Sequence, residues 1–176
     1  MNIAVSVKHS QCVPGNRIHM SDTRRYRDVL GHFATGVTVI TTLRDAEPVG
    51  MAVNSFTSVS LDPPLIAFCA ALGSSTWDHI ARAGHFCVNV LCREQAELSH
   101  RFAARDTDRF AGVAWTPAPS GAPRLTGAAA WFDCQLESRI VAGDHVIALG
   151  RVIDLDAEPE SVPLVFFRGD YQLPRV

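Results

Sequence analysis

The chain has 176 residues, 47% of them hydrophobic and 19% charged, and its formal net charge at pH 7 is -2. This length and apolar content fit one well-filled core and leave too little chain for two ordinary domains. The charge excludes the basic surface that nucleic-acid binding needs, and the longest apolar runs fall short of the ~20 residues of a membrane span. We therefore predict one soluble domain that binds neither nucleic acid nor membrane.

The five cysteines are odd in number, show no Cys-x-x-Cys spacing and mostly lie within apolar, strand-like segments. This pattern is typical of reduced thiols in a cytosolic protein, so we expect a cytoplasmic location. Residues 1–20 lack the basic start and the continuous apolar core of a signal peptide. We predict that they form a flexible extension before a domain at residues 21–176, with Met20 as an alternative start.

The first predicted element is a helix over residues 23–34. Ser21 and Asp22 favour a helix N-terminus, and the apolar residues that follow recur at helical spacing. We expect this helix to pack across one end of a β-barrel. A β-hairpin follows, because the β-branched residues 37–42 and the apolar residues 49–53 flank a polar turn.

Short strands and short helices alternate through the rest of the chain. The clearest strand is 131–140, where polar residues at odd positions from 133 to 139 alternate with apolar residues, which predicts one wet and one buried face. The other predicted elements are strands at 65–70, 86–91, 145–155 and 164–167, helices at 77–82 and 93–103, and an irregular segment at 107–127. Short strands with frequent turn signals and a few short helices predict a mainly β fold built on a closed antiparallel barrel.

No Gly-x-Gly-x-x-Gly follows a strand, and no Gly-x-x-x-x-Gly-Lys-Ser/Thr loop occurs. If the protein uses a nicotinamide, that ring must therefore be held against another group, and a flavin is the obvious candidate. The loop 53–58, Val-Asn-Ser-Phe-Thr-Ser, offers N–H, amide and hydroxyl groups that suit the edge of a flat heteroaromatic ring. The alternative is a polar loop whose side chains only satisfy local turns.

A second polar segment, Ser74-Ser75-Thr76, precedes the helix predicted at 77–82. A helix N-terminus presents unpaired N–H groups and a favourable dipole to an anion, so this segment suits a phosphate. Simple helix capping is the alternative. The histidines lack metal-ligand spacing and have no accompanying carboxylate pair, so no metal site is predicted.

Two motifs together carry a resemblance to a known family. Residues 50–64 read Gly-Met-Ala-Val-Asn-Ser-Phe-Thr-Ser-Val-Ser-Leu-Asp-Pro-Pro, and residues 143–145, Gly-Asp-His, open an apolar strand. Over residues 26–171 the chain resembles the flavin reductase family of FMN-binding split-barrel proteins, which supply reduced flavin to two-component monooxygenases. The resemblance implies a closed antiparallel FMN-binding split β-barrel.

The resemblance also implies roles for individual residues. The loop 53–58 would hold the isoalloxazine edge, segment 74–76 would hold the phosphate, and the catalytic residue His145 would lie beside the flavin and contact the incoming nicotinamide. A loop over the site would place Phe110 against the ring. The residues predicted to bind the cofactor are Gly36, Val37, Val53, Asn54, Ser55, Thr57, Ser58, Ser74, Ser75, Thr76, Phe110 and Tyr171.

By this resemblance the protein is an NAD(P)H:flavin oxidoreductase that reduces FMN or FAD by hydride transfer. It would act as a homodimer and pass reduced flavin to a separate monooxygenase. The lack of an arginine cluster near His145 in the sequence favours NADH over NADPH. Two alternatives share the barrel: a module that binds flavin without reducing free flavin, and an oxidase similar to the pyridoxamine phosphate oxidases. The intact Gly-Asp-His motif favours the reductase over both.

Overall fold

A computed structural model describes residues 22–105 and 107–172. The extension predicted at residues 1–20 and the alternative start at Met20 lie outside these ranges. The prediction of a mainly β fold with short helices is confirmed. The helices are α1 (Asp22–Leu30), α2 (Ser75–Ala83) and α3 (Ala96–Ala103), and the strands are β1 (Thr35–Gly36), β2 (Thr38–Arg44), β3 (Glu47–Val53), β4 (Thr57–Leu61), β5 (Pro64–Ala71), β6 (His85–Val90), β7 (Trp115–Pro117), β8 (Pro123–Leu125), β9 (Ala130–Ala142), β10 (His145–Ala157), β11 (Val165–Phe167) and β12 (Asp170–Gln172).

The main sheet has seven antiparallel strands in the order β3-β2-β6-β9-β10-β5-β4. A three-stranded sheet in the order β1-β11-β12 and the β7-β8 ribbon complete the strand pairing of the described residues. The two edge strands of the seven-stranded sheet, β3 and β4, are consecutive in the chain, and only residues 54–56 separate them. Because each residue spans at most about 3.6 Å, the two edges must approach one another at this end, and the sheet therefore curls.

The prediction of a closed barrel is wrong, because the described residues form no backbone ladder between β3 and β4. The hairpin that returns from β4 into β5 pairs Leu61 with Pro64 and commits β4 to β5 alone. The link 54–56 bridges the two edges without pairing to either. The loop that was singled out in the sequence therefore lies at the opening of the curled sheet.

Both faces of the sheet are covered by buried side chains, and successive residues of β2 belong to the cores on opposite faces. Ile40 belongs to one buried cluster, in which Phe68 contacts Phe86 edge-on with ring centroids 5.2 Å apart. Val39, the preceding residue, belongs to a second cluster with Phe102 of α3. Successive side chains of a strand point to opposite faces, so a strand between two cores is apolar throughout.

The predicted alternation along β9 fails at two residues. Asp133, expected on the wet face, is fully buried, and its carboxylate accepts hydrogen bonds from the Ser120 N–H at 2.7 Å and the Ser120 hydroxyl at 2.6 Å. Ile140, expected on the buried face, is 54% exposed. The pairing of β9 with β6 ends at Gln135, so the outer half of β9 extends beyond its neighbour.

Helix α1 ends at Leu30, four residues before its predicted end, and it does not pack as expected. None of its residues is buried, and Val29 and Leu30 are 63% and 54% exposed. The chain beyond the helix is instead held by its backbone, because the N–H of Arg168 donates to the carbonyl of Gly31 at 2.8 Å. The apolar side chains of α1 are therefore left facing outwards.

The cysteines of the described residues carry free thiols. Cys87, Cys92 and Cys134 are buried, and Cys69 is half-buried. Burial is the main cause that raises the pKa of the Cys87 thiol to about 12, so this group stays protonated and unreactive at neutral pH. Across residues 22–105 and 107–172, no helix combines the length and the apolarity that crossing a bilayer requires.

Candidate functional site

A cavity of about 1250 Å³ opens at the end of the sheet where the link 54–56 joins the two edges. Its walls come from the end of α1, from β1, from the link, from the start of β10 and from the turn between β11 and β12. Five of the residues predicted from the sequence line it: Gly36, Asn54, Ser55, Thr57 and His145. Residues more than a hundred positions apart in the chain therefore share one chamber.

Ser55 fixes the link relative to the sheet. Its hydroxyl accepts a hydrogen bond from the Cys69 N–H at 2.8 Å and donates to the Cys69 carbonyl at 3.2 Å. Cys69 is paired in turn with Ile147, two residues after His145 on β10. The Ser55 hydroxyl is thus committed to the backbone of β5, and it anchors the link to the strand that pairs with β10.

His145 begins β10 directly after a two-residue turn. Gly143 occupies the first position of that turn with φ +65°, a conformation that glycine adopts without a steric penalty. The imidazole Nδ1 lies 2.7 Å from Asp144 Oδ1, and this hydrogen bond together with the charge on the ring lowers the pKa of Asp144. Because an ionised carboxylate only accepts, Nδ1 carries the proton of this hydrogen bond, and Nε2 has no partner within the described part of the chain.

The wall formed by β1 contains an unused polar atom beside an open backbone. The Thr35 hydroxyl oxygen is buried and has no hydrogen-bond partner among residues 22–105 and 107–172, and Thr35 lines the cavity. A Cβ added to the neighbouring Gly36 would meet no atom within 4 Å. A buried hydroxyl without a partner costs free energy, so its position in a cavity wall fits a hydrogen bond to a bound molecule. The residues present therefore suit a polar, planar group such as a flavin or a nicotinamide.

Three further polar residues of the cavity were missed in the sequence. Arg27, His32 and Arg168 all line the chamber that contains His145. The sequence shows no arginine cluster near His145, but the fold brings Arg27 from α1 and Arg168 from the β11–β12 turn to the same chamber. The absence of an arginine cluster near His145 in the sequence is therefore no evidence for NADH over NADPH, because arginines that are distant along the chain line the same chamber.

The segment 74–76 lies outside this cavity. Ser74 caps α2, where its hydroxyl accepts from the Trp77 N–H at 3.3 Å, and the buried Thr76 hydroxyl donates to the Gly50 carbonyl at 3.3 Å. Ser75 is exposed. Ser75 and Thr76 line a separate cleft of about 610 Å³ together with Phe110 and Arg109. Ser74 therefore acts as a helix cap, which was the alternative to phosphate binding for this segment.

The other predicted residues lie around the cavity without lining it. Val37 is buried in the second core cluster, Val53 packs against the first, and Ser58 is exposed on β4. The Tyr171 hydroxyl donates to the Ser99 hydroxyl at 2.7 Å, and its ring packs against Phe166, which does line the cavity. Tyr171 thus supports the cavity wall from behind.

Comparison with known proteins gives a consistent result. A family model described as "Flavin reductase like domain" matches residues 30–173. The chain is 53% identical over 150 residues to the reductase subunit HsaB of a flavin-dependent monooxygenase from Rhodococcus jostii (strain RHA1), covering 85% of this chain and 77% of that protein. The crystal structure of a nitrilotriacetate monooxygenase component B from Mycobacterium thermoresistibile superposes with a TM-score of 0.85 at 43% identity and 88% coverage of both chains. The NADH:FAD oxidoreductase SgcE6 of Streptomyces globisporus C-1027, in complex with NAD and FAD fragments, gives a TM-score of 0.85 at 35% identity, covering 92% of this chain and 98% of the other.

Proposed function

This chain belongs to the flavin reductase family, and from that premise we propose that it is an NAD(P)H:flavin oxidoreductase. It reduces FMN or FAD by hydride transfer and supplies the reduced flavin to a separate monooxygenase. The observation that carries the proposal is the single cavity in which Gly36, the link 54–56 and His145 meet beside the unpartnered hydroxyl of Thr35. The relatives' descriptions as a monooxygenase reductase subunit and as an NADH:FAD oxidoreductase support it.

The chain's own residues would act by positioning, since hydride transfer between two stacked rings needs alignment more than acid or base catalysis. A bound flavin would supply the hydride acceptor and the nicotinamide would supply the donor. The Thr35 hydroxyl and the polar groups of Asn54 and Thr57 would hold the edge of a ring, and Gly36 would allow the close approach of its face. His145 would offer Nε2 to the incoming nicotinamide, while Asp144 holds the other ring nitrogen.

We further propose that the protein is a homodimer. Leu30 and Phe33 line the cavity and are 54% and 76% exposed, so the α1 side of the cavity leaves two large apolar side chains open to solvent beside its polar residues. A second copy that covers α1 would remove this apolar surface from water and would close the cavity at the same time. The free thiols of the described residues support a reducing location, which we propose is the cytoplasm.

The experiment that tests the proposed activity follows the absorbance of NADH, and separately of NADPH, with purified protein. Free FMN or FAD is added in catalytic amount or omitted. Oxidation that needs catalytic flavin and continues in air is the expected result, and it identifies both specificities. Flavin that stays bound to the protein without any oxidation of either nicotinamide would contradict the proposal and favour the flavin-binding module.

A further inference from the structure

Arg168 occupies an unusual backbone conformation. Phe167 and Asp170 are paired, so Arg168 and Gly169 form a two-residue turn between β11 and β12, with φ of +52° and +83°. Such turns favour asparagine, aspartate or glycine at the first position, because residues with a large side chain adopt positive φ at a cost. Strained residues cluster at binding sites, and Arg168 lines the cavity that contains His145.

The Arg168 guanidinium is held in place by the segment that follows α1. Its Nη2 donates to His32 Nε2 at 2.6 Å, and His32 Nδ1 in turn donates to the Asp28 carbonyl at 3.0 Å. Because Nε2 accepts a hydrogen bond, His32 is neutral in this arrangement and carries its proton on Nδ1. The backbone N–H of Arg168 also donates to the Gly31 carbonyl, so both the main chain and the side chain are anchored.

The charge of Arg168 is not neutralised by the part of the chain that the structure describes. No carboxylate there forms an ion pair with it, and its only side-chain hydrogen bond is the one to His32. Among the residues that line the cavity, Arg27 adds a second positive charge and Asp28 is the only carboxylate. This wall of the cavity therefore carries a fixed, exposed guanidinium with free N–H donors.

We propose that Arg168, positioned by His32, binds a phosphate group of the nucleotide that enters the cavity. The planar fork of a guanidinium matches two oxygens of a phosphate, and one N–H is already used to fix its orientation. The phosphate belongs either to the flavin or to the nicotinamide nucleotide. The inference rests on the proposed function for the identity of these ligands, and it adds a phosphate-binding residue that the motifs of the sequence do not include.

The test compares the affinities of riboflavin, FMN, NADH and NADPH for the wild type and for Arg168→Asn. Asparagine tolerates positive φ, so this variant keeps the turn while it loses the charge. Flavin binding is measured by fluorescence quenching, and nicotinamide binding by its own fluorescence. A charge-assisted contact predicts a loss of affinity of about tenfold. If FMN is affected and riboflavin is not, the flavin phosphate is the ligand; if only NADH or NADPH is affected, the nicotinamide nucleotide supplies it.

Three variants separate binding from folding. Arg168→Gly removes the backbone strain, so its thermal stability should equal or exceed that of the wild type while phosphate binding is lost as in Arg168→Asn. His32→Leu removes the acceptor and should weaken the same ligand severalfold, whereas His32→Gln, which retains an acceptor, should recover most of the affinity. Neither His32 variant should alter the affinity for riboflavin.

Unchanged affinities for all four ligands in Arg168→Asn would overturn the inference, and so would an equal loss for riboflavin and FMN, which indicates general damage. A different result would overturn the proposed function alone: FMN binds in an Arg168-dependent manner, but the wild type does not oxidise NADH or NADPH.

Discussion

At the scale of single residues, the buried hydroxyl of Thr35 distinguishes a binding site from an ordinary fold position. Thr35→Val removes an oxygen that has no hydrogen-bond partner in the described part of the chain, so the free energy of unfolding should stay equal or rise, while the affinity for flavin should fall about threefold to tenfold. Thr42→Val is the matched control, because the buried Thr42 hydroxyl donates to the His85 carbonyl at 3.0 Å. That control should lose about 1 kcal/mol of stability and keep its flavin affinity. Flavin titrations and urea unfolding of both variants measure the two effects, and an unchanged flavin affinity in Thr35→Val would contradict the role of this hydroxyl.

His145 carries the second prediction at this scale. His145→Ala should lower turnover with NADH about tenfold to a hundredfold, which corresponds to the loss of one positioning contact. Asp144→Asn should have a smaller effect, because the amide still accepts from Nδ1 but no longer as a charged group. His85→Ala, on β6 outside the cavity lining, is the control for the substitution itself. If the steady-state rates of His145→Ala match those of the wild type at saturating and subsaturating NADH, His145 has no role in the site.

At the scale of secondary structure, β10 is packed so closely against the core at Gly150 that this position has no room for a side chain. A Cβ at Gly150 would lie 2.5 Å from Phe86 Cζ and 3.1 Å from Ile66 Cδ1. Gly150→Ala should therefore lower the free energy of unfolding by about 1–3 kcal/mol, the usual cost of overpacking a core. Adding Phe86→Leu, which shortens the opposing side chain, should recover part of this loss. Thermal or urea unfolding of the single and double variants measures both changes in stability. A Gly150→Ala variant as stable as the wild type would show that the core at this position is not overpacked.

Much of the element order could be predicted from the sequence, because the periods of 2 and 3.6 residues are local. The motif containing Asn54 and the one containing His145 could be singled out from the sequence, and both line one cavity in the structure. Asp133 shows where local patterns fail: its buried partner, Ser120, comes from the irregular segment, and only the tertiary fold brings them together. The presence of Arg168 in the same cavity as His145 depends likewise on the pairing of β11 with β1, to which no sequence pattern pointed.

At the scale of the whole molecule, the exposed apolar face of α1 predicts the oligomeric state. Light scattering after size-exclusion chromatography should give twice the chain mass of 19.1 kDa. Val29→Glu places a charge on α1 outside the cavity lining and should shift the protein to a monomer. Leu61→Glu, at a position 91% exposed at the end of β4, is the control and should remain dimeric. A monomeric wild type at micromolar concentration would contradict the proposed dimer.

The central claim is that this protein passes a hydride from a reduced nicotinamide to a flavin. The most direct measurement mixes the protein and oxidised flavin with NADH, or with NADPH if that is the preferred donor, in the absence of oxygen and follows the visible absorbance of the flavin. The flavin band should be lost in step with oxidation of the nicotinamide, and deuterium at the transferred position of the nicotinamide should slow the loss. A flavin that remains oxidised with either nicotinamide, although the protein binds it, would show that no hydride is transferred.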